Sequence, residues 1–246
     1  MFNEYGKLST TLYQHTKPIG RSVGGDIEYY KKCLKDESGL ILEAGVGTGR
    51  MLIPLIQEGL RVDGVDLSSD MLNQCKVNLD KFNINTNLYH QDLTKMALPN
   101  KYNAIIMPTG SFCLLPKNLI KTVLDSFLNH LENGGKIIID LLLPLNFKEN
   151  EVVSYDYQLQ DNKGILFTSV SQSIDWIEQK TSYIHRYEMI ENSFVTETEV
   201  SKFELHWYGI QEFELLLQMA GFKQINYILG YEKSEKLPIT FMATKN

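Results

Sequence analysis

Leu40-Ile41-Leu42-Glu43-Ala44-Gly45-Val46-Gly47-Thr48-Gly49-Arg50 begins as an apolar run. It breaks into a loop with glycine at alternate positions, and then enters an apolar-periodic segment from Met51 to Glu58. The run suits a buried parallel strand. The whole reads as strand, tight turn, helix, with the helix spanning about 49–58. Glycine in the turn lets the backbone approach a ligand and reach left-handed conformations. The helix start offers unpaired N–H groups and partial positive charge, which suit a carboxylate or another anion. Pro54 should bend that helix by removing a backbone hydrogen bond.

The spacing separates the candidate ligands. A dinucleotide fingerprint, G-x-G-x-x-G, would need glycine at position 50, where Arg50 stands. A phosphate-cradling loop would need Gly-Lys-Ser/Thr, which the chain lacks. Arg61-Val62-Asp63-Gly64-Val65-Asp66 reads as a second strand ending in an acid. Asp66 lies 66 − 45 = 21 residues after the first glycine, close to the ~20 expected of a carboxylate that takes ribose hydroxyls. Ser68 or Ser69 can cap the next helix. Leu88 to Leu93 reads as a third strand ending in Asp92, and Tyr102 to Met107 as a fourth with Pro108-Thr109-Gly110-Ser111 as its exit loop.

With these elements in order, Glu43-x-Gly45-x-Gly47-x-Gly49 resembles motif I of the class I S-adenosylmethionine (SAM)-dependent methyltransferases. The resemblance covers residues 38–143 firmly and the rest loosely. It implies SAM as cofactor and no metal. Gly45, Gly47 and Gly49 would approach the methionine part, Asp66 would take the ribose, and Asp92 and Leu93 would flank adenine with Met71 as a wall. Glu43 would order the loop or bond through water. Pro108 is a further cofactor-binding candidate, in the loop where this fold places its acceptor. Tyr5, Tyr13 and Arg21 precede motif I, in a segment that closes over the cofactor in many of these enzymes. Tyr13 and Arg21 are the candidates to touch it, and the plainer alternative is a surface strap with aromatic anchors. Arg50 would reach the SAM carboxylate or simply stand exposed at a helix start. Asp66 and Asp92 have a plainer alternative as helix-capping acids.

At 246 residues the chain can form one large α/β domain with a decorated core. The formal net charge of −6, with no basic stretch, argues against nucleic acid or an anionic membrane as partner. Cys33, Cys75 and Cys113 are isolated and odd in number, which fits a reducing cytoplasm. No apolar leader and no membrane-length run is visible. The oligomeric state is open.

Residues 1–25 read as irregular, with a helix from Ile27 to about Lys35 capped by Asp26. After the first four strands comes a helix over 117–132. Its apolar stripe runs through Leu119, Ile120, Val123, Leu124, Phe127, Leu128 and Leu131, and Asn133-Gly134-Gly135 stops it. A fifth strand covers Lys136 to Leu142. Alternating strands and helices predict a doubly wound, mostly parallel seven-stranded sheet of Rossmann-like methyltransferase form. From 151 to 207 the pattern changes to short alternating runs with a hairpin turn at Asp161-Asn162-Lys163-Gly164, an inserted antiparallel meander of four or five strands. A helix over 209–220 and two final strands complete the sheet. The expected organisation is thus a lid or strap at 1–37, a SAM-binding α/β domain at 38–150 and 208–246, and an inserted β subdomain on the substrate side at 151–207.

The insert resembles that of small-molecule N-methyltransferases acting on amino sugars and similar amines. In the insert, alternation puts Tyr183, His185, Tyr187 and Met189 on one face. His185 and Tyr187 are candidates to line an amine or phenol pocket, with His185 as base, and the plainer alternative is a sheet face of aromatic cross-strand pairs. In Phe203 to Tyr208, Phe203, Leu205 and Trp207 face one way and His206 the other, which makes His206 a second candidate base. The exit loop of the fourth strand lacks the Pro-Pro-aromatic form of amino-directed DNA and protein-glutamine methyltransferases, which favours a small-molecule acceptor. The expected function is methyl transfer from SAM to a nitrogen or oxygen of a small molecule. The rivals are a SAM-binding sensor or assembly protein without transfer activity, and a nicotinamide-dependent oxidoreductase, against which Arg50 and the insert speak.

Overall fold

The structure, a computed structural model, describes residues 5–232 and 238–246. It divides into two compact units, Met1–Pro18 with Pro144–His206, and Ile19–Leu143 with Trp207–Asn246. The N-terminal 37 residues are therefore split: the first eighteen go with the β insert and the rest with the α/β sheet.

The larger unit is built on a seven-stranded sheet. Its strands in chain order are β1 (Leu40–Ala44), β2 (Arg61–Asp66), β3 (Leu88–His90), β4 (Tyr102–Met107), β5 (Leu131–Leu141), β10 (Lys223–Leu229) and β11 (Ile239–Thr244), β6–β9 belonging to the smaller unit. Across the sheet the order is β10-β11-β5-β4-β1-β2-β3. β1 pairs in parallel with both β2 and β4, and β4 with β5. β11 runs antiparallel between β5 and β10. Strand order reverses between β1 and β4, and a crevice opens beyond the carboxyl ends of such a pair. Ile41, Leu42, Ile105, Ile106 and Ile137 to Ile139 are all fully buried, as strands covered on both faces require.

The helices of this unit are α2 (Asp26–Leu34), α3 (Leu52–Gln57), α4 (Ser69–Lys81), α5 (Ile120–His130) and α6 (Ile210–Ala220). α2 buries Ile27, Tyr29, Tyr30 and Leu34. α3 has only six residues, so Pro54 stands in its first turn; the i to i−4 bonds of Ile53 N to Gly49 O and Leu55 N to Met51 O, both 3.1 Å, flank the one its missing N–H cannot make. α5 ends at His130, and Leu131 is already extended. Gly135 lies within β5 instead of stopping the helix, and a Cβ there would stand 3.1 Å from the Tyr102 carbonyl oxygen and 2.9 Å from that of Glu132.

The smaller unit is a four-stranded antiparallel meander of β6 (Val152–Gln160), β7 (Lys163–Asp175), β8 (Lys180–Glu191) and β9 (Phe194–His206). β7 is one strand with an irregularity in its pairing to β8 between Ser171 and Ser173. The turn after β6 rests on Asn162 at φ 58, a left-handed position that Asn tolerates. A helix, α1 (Lys7–Thr16), occupies the segment expected to be irregular. Its two threonine-rich turns have little helical propensity, and its support is tertiary. Leu8 and Leu12 pack on Ile165, Tyr187 and Met189. The Glu199 carboxylate accepts hydrogen bonds from Leu8 N at 2.7 Å and Ser9 N at 3.3 Å, taking up orphan donors at the helix start.

Candidate active site

The crevice at the carboxyl ends of β1 and β4 is floored by the glycine loop. Gly45, Gly47 and Gly49 all have positive φ, at 77°, 54° and 83°. Gly45 N and Val46 N both donate to Val65 O, at 2.8 and 3.0 Å, tying the loop to the end of β2. From α4, Asn78 Nδ2 donates to Thr48 O at 2.9 Å. A Cβ on Gly45 would lie 3.4 Å from Ser111 Cβ and 3.9 Å from Met107 Cε, so the first glycine faces the exit loop of β4. A Cβ on Gly47 would stand 3.9 Å from Met71 Sδ.

Asp66 ends β2 with both oxygens engaged: Oδ2 accepts from Gly47 N at 2.7 Å and Oδ1 from Ser68 N at 2.9 Å. Burial raises its pKa, and backbone N–H groups of Ser68, Gly47 and Leu67 oppose that. An ionised carboxylate has about four acceptor positions, so capacity for hydroxyl donors remains. Asp92 Oδ1 accepts from Thr94 N at 2.8 Å and from Thr94 Oγ1 at 2.7 Å, capping the short turn Leu93–Lys95, with Leu93 buried. Asp92 therefore has the capping role expected as its plainer alternative.

Glu43 is buried at the end of β1, and its Oε2 has no hydrogen-bond partner. Burial pushes its carboxyl up to about 8, the nearby Arg50 charge pulls it down, and Asp26 and Asp66 push it further up. Glu43 is thus substantially protonated near neutral pH. Arg50 is only 4 % exposed, so it is neither a surface residue nor free to move. Its Nη2 pairs with Asp26 Oδ2, Nη1 reaches Asp26 Oδ1 at 3.2 Å, and Nη1 donates to Arg21 O at 2.7 Å. Arg21 contributes its backbone to this contact, while the residue itself is exposed. Asp26, read from sequence as a helix cap, is instead the first residue of α2, with Gly25 at the cap position, and it is the buried counter-ion.

Beyond β4, Thr109 and Gly110 are both left-handed, at φ 55° and 78°. Thr109 N donates to Asp140 Oδ2 at 2.7 Å. Asp140, at the end of β5, also accepts from Tyr231 Oη at 2.5 Å and Thr240 Oγ1 at 2.7 Å. Burial pushes Asp140 up to about 6, and the hydrogen bonds from Tyr231, Thr240 and Thr109 hold it back. Pro108 is buried, and its carbonyl accepts from Ser111 Oγ at 3.2 Å. No sequence signal marked Asp140, Tyr231 or the conformation of Thr109.

The remaining candidates belong to the smaller unit. Tyr13 lies on α1, edge-on to Tyr5 at 6.5 Å. His185 stacks on Phe203 at 5.0 Å and meets Phe167 edge-on at 5.2 Å. Burial lowers it to about 4, so its imidazole is neutral at physiological pH. Tyr187 is core: it is 6 % exposed, packs under Leu8 and Leu12, and burial pushes its phenol up to about 12. Such a phenol keeps its proton at neutral pH. In β9 the unbroken register from Tyr183↔Phe203 to Lys180↔His206 puts His206 on the face opposite Phe203. The two candidate histidines therefore do not share a face. Among the described residues no cluster of His, Cys, Asp or Glu could hold a metal, and no helix is long and apolar enough to cross a membrane.

The sheet order, the glycine loop and the acid ending β2 define the class I methyltransferase fold with a β-meander insert. Residues 41–135 match the family model described as a methyltransferase domain. Solved structures agree over nearly the whole chain. The sugar N-methyltransferase KedS8 from Streptoalloteichus sp. ATCC 53650 superposes with a TM-score of 0.81 at 16% identity, covering 100% of this chain and 96% of that one. DesVI of Streptomyces venezuelae gives 0.74 at 19% identity, covering 97% of each. SAM-bound CalS10 of Micromonospora echinaspora, an amino pentose methyltransferase, gives 0.73 at 17%, covering 100% of each. Residues 41–135 thus form a methyltransferase domain on the class I fold, with SAM as its cofactor.

Proposed function

We propose that this enzyme methylates a nitrogen or oxygen of a small molecule, with an amine on a sugar-like acceptor as the leading candidate. The observation that carries this reading is the full-length likeness to proteins described as sugar N- and amino pentose methyltransferases. The net charge of −6 also disfavours a polyanionic acceptor.

The crevice between the glycine loop and the β4 exit loop fits SAM. Side-chain atoms would fill the space that Gly45 leaves open toward Ser111, and buried Glu43 Oε2 lacks a partner. In this reading Gly45, Gly47 and Gly49 hold the methionine end and Asp66 takes the ribose. Met71, Asp92 and Leu93 border the adenine, Pro108 lies on the acceptor side, and Tyr13 and Arg21 close the site. SAM supplies a methyl group on a sulfonium, open to in-line displacement by an acceptor lone pair. The protein aligns the acceptor and excludes water. The acceptor must shed a proton. His185, neutral in its aromatic setting, would take a hydrogen bond from it more readily than carry the proton at pH 7, and His206 is the second candidate.

The test is a thermal unfolding series with SAM, S-adenosylhomocysteine (SAH) and NADH, followed by transfer of labelled methyl to amino sugars and their hydroxyl counterparts. A ligand at ~100 times its dissociation constant should add roughly 2.7 kcal/mol. Stabilisation by SAM and SAH but not NADH, with label in the amine series, is expected. SAM binding with no label in any small acceptor would favour the alternative, a sensor or assembly protein.

A further inference from the structure

Two residues of the α/β unit hold left-handed backbones without being glycine and bond to the same atom. Thr109, at φ 55°, donates its N–H to Asp140 Oδ2, and Tyr231, at φ 53° and ψ 41°, donates its hydroxyl to that same oxygen. A β-branched residue in this region is a genuine outlier, because its Cβ crowds the backbone. Such conformations persist only where the surroundings over-determine them, and they gather at functional sites. Here the surroundings can be named. Asp140 is fully buried, and Thr240 Oγ1 on β11 fixes its other oxygen. Gly110, next in the loop, is also left-handed, and a Cβ there would collide with Leu142. These two left-handed residues turn the chain so that Ser111 comes to face Gly45.

We propose that Asp140 is a positioning residue of this methyltransferase, holding the Pro108–Ser111 turn as the wall of the cofactor crevice opposite the glycine loop. The inference rests on reading that crevice as the SAM site. Asp140 acts through the Thr109 N–H, and Tyr231 donates to the same carboxylate oxygen. Tyr231 in turn packs on Tyr29 and Tyr30 of α2, with ring centroids 5.3 and 6.4 Å away. α2 begins at Asp26, the counter-ion of Arg50 that immediately follows the glycine loop. Both walls of the crevice therefore lead back to one packed set of residues.

Asp140→Asn removes the charge that strengthens the hydrogen bonds from Thr109 N–H and the Tyr231 hydroxyl, and turns the oxygen that faces Thr240 Oγ1 into a donor, so the hold on the turn weakens. Calorimetric SAM binding at pH 7.5 and amide exchange of residues 108–112 are measured on the full chain. In Asp140→Asn the dissociation constant is expected to rise at least tenfold and exchange of the turn to quicken at least tenfold. Adding Thr109→Gly to that variant should return the constant to within about threefold of the parent, because glycine adopts the turn without being held there. A purely structural carboxylate would not be rescued by relaxing one loop residue. Asp140→Asn with unchanged binding and exchange, or no rescue by Thr109→Gly, overturns the proposal. Should Asp140→Asn not fold, Tyr231→Phe decides: faster exchange of the turn with weaker SAM binding supports the proposal, and no change in either overturns it. A parent protein that fails to bind SAM would instead sink the reading of the crevice.

Discussion

Arg50 forks onto Asp26 inside the α/β unit, each of them almost wholly removed from solvent. Leaving one member of a buried pair alone strands a charge, which typically costs about 3–5 kcal/mol, whereas replacing both with well-packed apolar groups is often neutral. Arg50→Met should lower the unfolding free energy by about that amount in urea titrations. Asp26→Leu combined with Arg50→Met should recover most of it. Equal losses in the single and double variants would show that the pair is not the stabilising feature.

Gly45 offers a separation of folding from binding. Its φ of 77° makes alanine cost about 1–2 kcal/mol. The new Cβ would stand 3.4 Å from Ser111, ordinary contact for the protein alone but an obstruction in the crevice. Gly45→Ala should remain folded by circular dichroism and bind SAM at least tenfold more weakly. SAM affinity within twofold of the parent would place the cofactor elsewhere.

Glu43 makes stability depend on pH in a set direction. Its folded-state pKa is raised, from 4.5 to about 8, by burial. Between those values the folded chain holds a proton that the unfolded chain releases, so stability falls as pH rises through that window, by up to about 1.4 kcal/mol per unit. Glu43→Gln mimics the protonated form at every pH. It should match the parent near pH 4.5 and exceed it increasingly toward pH 8 in parallel denaturation curves. Curves that stay parallel across the range would mean that Glu43 is ionised in the folded protein.

His185 should titrate far below a free imidazole. Burial among Phe167, Tyr183 and Phe203 lowers it to about 4. Proton NMR of its ring should show an inflection near that value, and the pH profile of methyl transfer should lack a limb at 6–7 that disappears in His185→Gln. An inflection near 6.5 would restore His185 as a proton-carrying base.

Glu199 is the support of α1. Glu199→Ala removes the acceptor of Leu8 N and Ser9 N and should destabilise the helix by about 1 kcal/mol, with a further contribution from the helix dipole. Limited proteolysis should then cut within residues 7–16 sooner than in the parent. An unchanged cleavage rate would assign the stability of α1 to Leu8 and Leu12 alone.

The parallel sheet was legible because local chemistry and global position agree there. The apolar runs of β1 and β2 end in glycine and in acid, and Gly47 and Asp66 meet through a hydrogen bond. What sequence missed depends on distant partners. α1 has poor propensity and forms because β7, β8 and β9 cover it. Arg50 read as either a SAM-carboxylate contact or an exposed arginine because nothing in its neighbourhood announces Asp26 at 24 residues' distance. Asp140 sits inside an apolar run and looks like any strand-ending acid, and its meaning lies in Thr109 and in Tyr231, 91 residues away. Period-2 alternation gave the faces of β8 correctly. It could not say that α1 would cover Tyr187 and leave His185 among aromatic rings.

The capping contact between Glu199 and Leu8 spans 191 residues. Synthesis makes α1 well before its partners on β7, β8 and β9. Until then that segment has no docking surface and too little helical propensity to hold its shape. α1 thus takes its shape only once β9 has been made, and the smaller unit is completed by a segment closing back onto strands that follow it far along the chain.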